Sequence, residues 1–91
     1  MIESFWHRGS RELFESGRSA RVRADLQCRI LVRLAAIDSA TGLEALHQPG
    51  FDFHAFRGRP RRYSVHVNGS WYITFEWREG RAVRVDLEQH H

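Results

Sequence analysis

The spacing of apolar residues along the chain changes at Phe51. Before it they recur at helical intervals, and after it they alternate. Val22, Leu26, Ile30, Leu34 and Ile37 follow at steps of four, four, four and three, forming one stripe along a helix. Ser19 can cap that helix and Ala40-Thr41-Gly42 ends it. On its outer side Asp25 precedes Arg29 by four residues, the favourable order for an acid and a base. Ahead of it, Ser10 can cap a shorter helix running to about Ser16, which Gly17 stops. Ile2 to Trp6 reads as a β-prone opening strand, Thr41 to His47 as one added turn, and Pro49-Gly50 closes the helical half.

Three runs beyond this point have a period of two. Tyr63, Val65 and Val67 alternate with Arg62, Ser64 and His66, while Trp71, Ile73, Phe75 and Trp77 alternate with Tyr72, Thr74 and Glu76. Val83, Val85 and Leu87 alternate in the same way with Arg84 and Asp86. These are half-buried antiparallel strands, joined by hairpin turns at Asn68-Gly69 and Glu79-Gly80. A strand from Phe51 to Phe56 with the same alternation turns Phe51, Phe53 and Ala55 to the core and His54 to the open side. A strand, two helices and a strand meander predict one α+β domain over residues 1–91, with the helices on the apolar face of the sheet. Trp71 is then a core-facing aromatic.

Composition narrows the setting. The single cysteine, Cys28, excludes an internal disulfide framework and a cysteine-built zinc site, which fits a reducing compartment, so the cytoplasm is expected. Apolar runs of a few residues fall far short of the ~20 that span a bilayer, and Met1 to Gly9 lacks the apolar run of an export signal. No membrane association and no export are expected. The net charge is +3, and all 14 basic residues are arginines. The guanidinium fork matches phosphate oxygens in pairs, but a genomic base composition that trades lysine for arginine gives the same count. Position has to decide between them.

The positions are suggestive. His54, His66 and Tyr72 share the polar face, and Arg57, Arg59, Arg61 and Arg62 crowd a loop that Gly58 and Pro60 keep irregular. Such a loop is either a solvated basic turn or an anion site, for which phosphate is the natural ligand. An imidazole can take a proton from a ribose 2′-OH or give one to a leaving 5′-oxygen, and a guanidinium can stabilise charge on the phosphorus oxygens. Histidine beside arginine is therefore minimal equipment for cutting RNA without a metal. No HExxH or paired-cysteine spacing is present, so neither a metal nor another cofactor is expected.

Several segments together carry a family resemblance. They are Met1-Ile-Glu-Ser-Phe5, Leu13-Phe14-Glu-Ser-Gly17, Arg33-Leu-Ala-Ala-Ile-Asp-Ser-Ala-Thr41 and Gln48-Pro-Gly50 in the first half. His54-Ala-Phe-Arg57-Gly58, Tyr63-Ser-Val-His-Val-Asn68, Trp71-Tyr-Ile-Thr-Phe75 and the terminal His91 continue it. In order, spacing and length the chain resembles the HigB and GraT branch of the RelE superfamily of bacterial toxins, the plasmid maintenance system killer proteins. The resemblance implies the RelE-like toxin fold and metal-independent cleavage of mRNA in the ribosomal A site. It also implies a HigA-like helix-turn-helix antitoxin as partner, with operator DNA reached only through that antitoxin.

Carried over by position, the family's basic motif falls on His54 and on Arg57, where lysine is usual. Tyr72 stands where the family has an arginine that braces the scissile phosphate. Gln89-His90-His91 replaces an Asp-Tyr-His ending, so that only His91 is retained. The resemblance thus implies His54, Arg57, His91, His90 and Tyr72 as catalytic groups. Arg57, Arg59, Arg61, Arg62 and His66 are the candidates for holding RNA phosphate, and one of the loop arginines could stand in for the missing one. Two alternatives stay open at this point. One is a catalytically weakened homologue kept for antitoxin binding and operator control; the other is a basic nucleic-acid-binding module outside any toxin pair.

Overall fold

A computed structural model describes residues 1–90. Two α-helices, α1 (Arg8–Ser16) and α2 (Gln27–Ser39), precede four strands, β1 (His54–Ala55), β2 (Arg62–Asn68), β3 (Trp71–Arg78) and β4 (Arg81–Gln89). The strands form one antiparallel sheet in the order β1-β2-β3-β4, the meander and α+β class expected from the pattern. The whole apolar stripe of the first half is buried: Val22, Leu26, Ile30, Leu34 and Ile37 pack with Leu13 and Leu46 against Val65, Val67, Ile73, Phe75 and Val85. Each such side chain contributes roughly 1.5–3 kcal/mol by leaving water. The helices therefore cover one sheet face, and the other carries the polar residues.

Helix boundaries differ from the sequence expectation for local reasons. α1 starts at Arg8, with His7 as the cap: its ring Nδ1 accepts from the Ser10 N–H at 3.0 Å, and Ser10 itself lies buried within the first turn. The Gly17 stop is as expected, with a left-handed φ of 85° and its N–H on the Leu13 carbonyl at 2.8 Å. Ser19 does not open the second helix. Its hydroxyl donates to Glu12 Oε1 at 2.7 Å and accepts from the Arg21 N–H, and the chain then passes through a 3-10 turn at Ala24–Leu26 before α2. Asp25 consequently pairs with Arg23 at 2.7 Å rather than with Arg29.

The opening segment does not form a regular strand. It runs parallel to β4 through two bridges, Ile2 to Ala82 and Phe5 to Val85, and Asp38 on α2 ties it down by accepting from the Ile2 N–H at 2.8 Å. Asp52, at a φ of 45°, breaks the extended run expected over Phe51 to Phe56, so β1 shrinks to two residues. Phe51 is buried and Phe53 packs on the core, but Ala55 is exposed instead of facing the helices. A bulge in β4 shifts the register between Thr74 and Glu76, with Arg84 at a φ of 53°. The bulge reverses the phase of alternation. Ala82 takes the core position, while Val83, expected there, sits opposite Glu76 on the other face.

Arg33 on α2 is buried without a carboxylate. Its Nε donates to the His66 carbonyl at 2.5 Å, its other nitrogens reach the Arg29 and Gly50 carbonyls, and it lies 4.9 Å over the Phe51 ring. Burial, then repulsion from Arg29, holds its pKa below the usual arginine value. It fastens α2 to the strand that carries His66.

Trp71 packs at the end of the sheet, half-buried, rather than in the centre of the core, and its indole Nε1 is buried with no hydrogen-bond partner among the described residues. Phe75 is the fully buried aromatic of β3. Phe75→Ala is expected to cost about 3–5 kcal/mol of folding stability. Trp71→Ala should cost less, because it also removes an unpaired donor. Urea unfolding followed by circular dichroism checks the order of the two.

Candidate active site

Register sorts the polar face into three cross-strand rows. Arg62, Glu76 and Val83 form one; His54, Ser64, Thr74 and Asp86 the next; His66, Tyr72 and Glu88 the third. His90, just past β4, extends the last row by stacking on Tyr72 with ring centroids 5.0 Å apart and planes 24° apart. His66 packs on the far side of Tyr72 at 5.0 Å, and Phe56 reaches His90 at 5.8 Å. Two hollows open between these side chains. One, of about 330 Å³, is lined by Asp52, His54, Ser64, Tyr72, His90 and Phe56. The other, of about 400 Å³, is lined by Arg57, Arg62, Asp86, Glu88 and Trp6, and again by His90 and Phe56.

Hydrogen bonds fix what the imidazoles can offer. His54 Nδ1 lies 2.8 Å from the Asp52 carbonyl, and a carbonyl can only accept, so Nδ1 carries a proton and the neutral ring keeps its lone pair on Nε2. By the same reasoning His66 donates from Nε2 to the Gly69 carbonyl at 2.8 Å and keeps its lone pair on Nδ1. The Asp52 carboxylate stands 3.6 Å from His54 Nδ1, and Glu88 Oε1 stands 4.0 Å from His90 Nε2. The His90 backbone is anchored by its N–H on the Ser70 carbonyl at 2.7 Å.

The basic loop closes between strands. The Phe56 N–H donates to the Arg62 carbonyl at 2.8 Å, so residues 57–61 bulge from the end of the β1–β2 hairpin with Arg57, Arg59 and Arg61 exposed. Arg57 alone of these three lines a hollow, beside His90. No hydrogen bond or ion pair within the described residues engages its guanidinium.

Beneath the second hollow lies an ion cluster. Glu76 is 2% exposed and receives Arg62 at 3.1 Å and both Arg78 and Arg84 at 3.0 Å. Burial alone raises the pKa of its carboxyl, but hydrogen bonds and charge from Arg84 and Arg78 outweigh that and hold it below the ordinary value. Arg62 also donates to Thr74 Oγ1 at 3.1 Å and to the Arg84 carbonyl at 3.0 Å, with the Trp6 ring 4.7 Å above it.

Residues 3–90 match the family described as RelE-like toxin of type II toxin-antitoxin system HigB. The chain belongs to the HigB-like toxin family. Over 92 aligned residues, covering all of both chains, it is 38% identical to "Endoribonuclease HigB" of Proteus vulgaris. Membership makes an antitoxin the partner of this HigB-like toxin. No helix among its described residues is long and apolar enough to cross a membrane, and no three His, Cys, Asp or Glu side chains among them gather as a metal site.

In this HigB-like toxin the sequence-selected residues divide into groups. His54, Tyr72 and His90 surround one hollow, with His66 behind Tyr72, and Arg57 reaches the adjoining hollow. Arg59 and Arg61 line neither hollow, and Arg62 is committed to Glu76, Thr74 and the Arg84 carbonyl. His91 lies outside the described residues. Sequence reasoning missed Asp86, Glu88, Trp6 and Phe56. For the two acids the signal was available, since positions 86 and 88 alternate onto the face that carries Tyr72 and Thr74. Trp6 gave none, as only the tertiary fold lays the opening segment beside β4.

Proposed function

We propose that this toxin is an endoribonuclease that cleaves mRNA in the A site of the translating ribosome, without a metal or other cofactor. The observation that carries the reading is the convergence of His54, Tyr72 and His90 on one hollow, with Arg57 on its neighbour. The name of the Proteus vulgaris relative supports the nuclease activity. His54 Nε2 takes the proton of a ribose 2′-OH, the 2′-oxygen attacks phosphorus, and the bond to the 5′-oxygen breaks with a proton delivered from His90. A 2′,3′-cyclic phosphate and a 5′-hydroxyl end result. Arg57 neutralises the charge that builds on the phosphorus oxygens, and Tyr72 stacks on His90 and holds its ring in place. His91 joins them by resemblance alone.

The same reading supplies the setting: a cytoplasmic protein, bound by a HigA-like helix-turn-helix antitoxin and reaching operator DNA only through it. Tyr72 in place of the family's arginine, with Arg62 tied to Glu76, favours a second reading in which catalysis is weakened and antitoxin binding is the retained role.

Few strong acid–base groups face the hollows, so positioning by the ribosome has to supply much of the acceleration. Purified toxin added to translating ribosomes should cut mRNA at codon-registered positions, mapped by 5′ ends, whereas naked RNA should be cut poorly. Efficient cutting of naked oligonucleotides would remove the ribosome from the reading. Loss of cutting on brief EDTA treatment, with ribosomes kept intact by restored magnesium, would remove its metal independence. A toxin that binds its antitoxin but cuts neither substrate would favour the weakened homologue.

A further inference from the structure

We infer that the hollow beside Trp6 is a base-binding subsite for the nucleotide flanking the scissile phosphate, with a preference for bases bearing an exocyclic amine. The inference rests on the ribonuclease reading above and assigns specificity within it. Trp6 is 60% exposed, an unusual state for the largest apolar side chain, yet it is not loosely held. Its backbone N–H donates to the Val85 carbonyl at 2.8 Å, and its ring lies 4.7 Å from the Arg62 guanidinium and 5.9 Å from that of Arg84. Glu76 fixes both of those cations. The indole is thus backed by two guanidiniums that Glu76 pairs with, and it is otherwise open to solvent, which is the form of a stacking platform.

The surroundings choose the occupant. A volume of about 400 Å³ lies within the range of small-ligand sites and admits a nucleotide. Phe56 and His90 line this hollow and the one that holds His54, so a base on Trp6 belongs to a residue next to the cleaved bond. Arg57 provides for the phosphate. Asp86 and Glu88 provide the opposite: carboxylates repel phosphate and accept only from N–H or O–H groups. Asp86 Oδ1 accepts from the Leu87 N–H at 2.9 Å and Glu88 Oε2 from the Thr74 hydroxyl; Asp86 Oδ2 is left for a base edge, and Glu88 Oε1, 4.0 Å from His90 Nε2, can accept from one as well. Adenine, cytosine and guanine present an exocyclic amine to such acceptors; uracil presents only its N3–H, flanked by two carbonyls that repel a carboxylate.

The test uses trinucleotides with 2′-O-methyl riboses, which have no 2′-OH to attack phosphorus and therefore report binding apart from cleavage. Titrated into the full chain and followed by NMR, they should move the Trp6 indole N–H resonance. Trp6→Ala should weaken binding of the adenosine and cytidine trimers about tenfold, while Trp6→Phe retains most of it. The uridine trimer should bind more weakly than either, and an abasic nucleotide at the stacked position should erase the effect of Trp6→Ala. A Trp6 resonance unmoved at millimolar trinucleotide overturns the subsite, as does equal affinity of wild type and Trp6→Ala. So does a shift produced by antitoxin but not by RNA, which would make Trp6 a protein contact. Trp6-dependent binding by a toxin that cuts nothing would leave the subsite standing and the nuclease reading fallen; active cleavage with Trp6-indifferent binding would do the reverse.

Discussion

Arg57→Ala is expected to lower the rate of mRNA cleavage on the ribosome by about a hundredfold or more, and to abolish growth arrest on expression, while the protein stays folded. A donor placed where charge develops in the transition state is typically worth that factor. In this site there is no second candidate of equal standing. Tyr72, which by the resemblance stands in place of a phosphate-bracing arginine, carries no charge and lies stacked between His66 and His90. Arg62 has its donors on Glu76, Thr74 and the Arg84 carbonyl, so turning it toward a phosphate would break a buried cluster. Arg59 and Arg61 point from the loop without lining either hollow. Arg57 is exposed, so its removal touches no core contact and should change stability by no more than about 0.5 kcal/mol. Single-turnover cleavage on programmed ribosomes, with circular dichroism and antitoxin pull-down as controls, measures both halves. A variant as toxic as wild type would remove the phosphate clamp and with it the assignment of this face.

The polar face was legible because alternation in strands is a hard constraint. Once Ile73 and Phe75 must face the helices, Tyr72 and Thr74 have to face away. The hairpin turns at Gly69-Ser70 rather than at Asn68-Gly69, with Asn68 opposite Trp71, and a register shift between His66 and Asn68, which the sequence did not signal, sets His66 opposite Tyr72. The stripe from Val22 to Ile37 was legible for the same reason, although a capping reading of Ser19 put the helix start several residues early. Ser and Thr signal a turn or a cap equally well, and here the hydroxyl had a carboxylate, Glu12, to bind. What sequence could not give was the effect of the bulge at Arg84. One extra residue in β4 moves Val83 to the polar face and lets the Arg84 side chain reach Glu76. The floor of the Trp6 hollow follows from that shift. Arg62 read as a phosphate ligand because its partner, Glu76, lies on another strand 14 residues away.

Glu76→Gln is expected to destabilise the fold by about 3–5 kcal/mol at neutral pH, the range for removing one partner from a buried ion pair. Three guanidiniums converge on this one carboxylate, and Arg62 in particular is only 18% exposed in its side chain, so they lose their counter-charge where water can restore little of it. Arg78 and Arg84 are half-exposed and can swing outward, which places the cost at the lower end of the range if they relax. Acid supplies an independent check. The folded-state pKa of Glu76 lies below its ordinary value, so the stabilisation is present in full above the unfolded pKa of roughly 4.3 and is lost as pH falls through the lower, folded value. The gap in unfolding free energy between wild type and Glu76→Gln should therefore be constant from neutrality down to about pH 5 and close below about pH 4. Urea titrations of both proteins across that interval measure it directly. A gap that persists undiminished at pH 3 would mean that packing, rather than the charge of Glu76, holds the cluster together. The variant also bears on function: with Arg62 and Arg84 released, the support under Trp6 goes, and the polar face should lose its shape before the helical core unfolds.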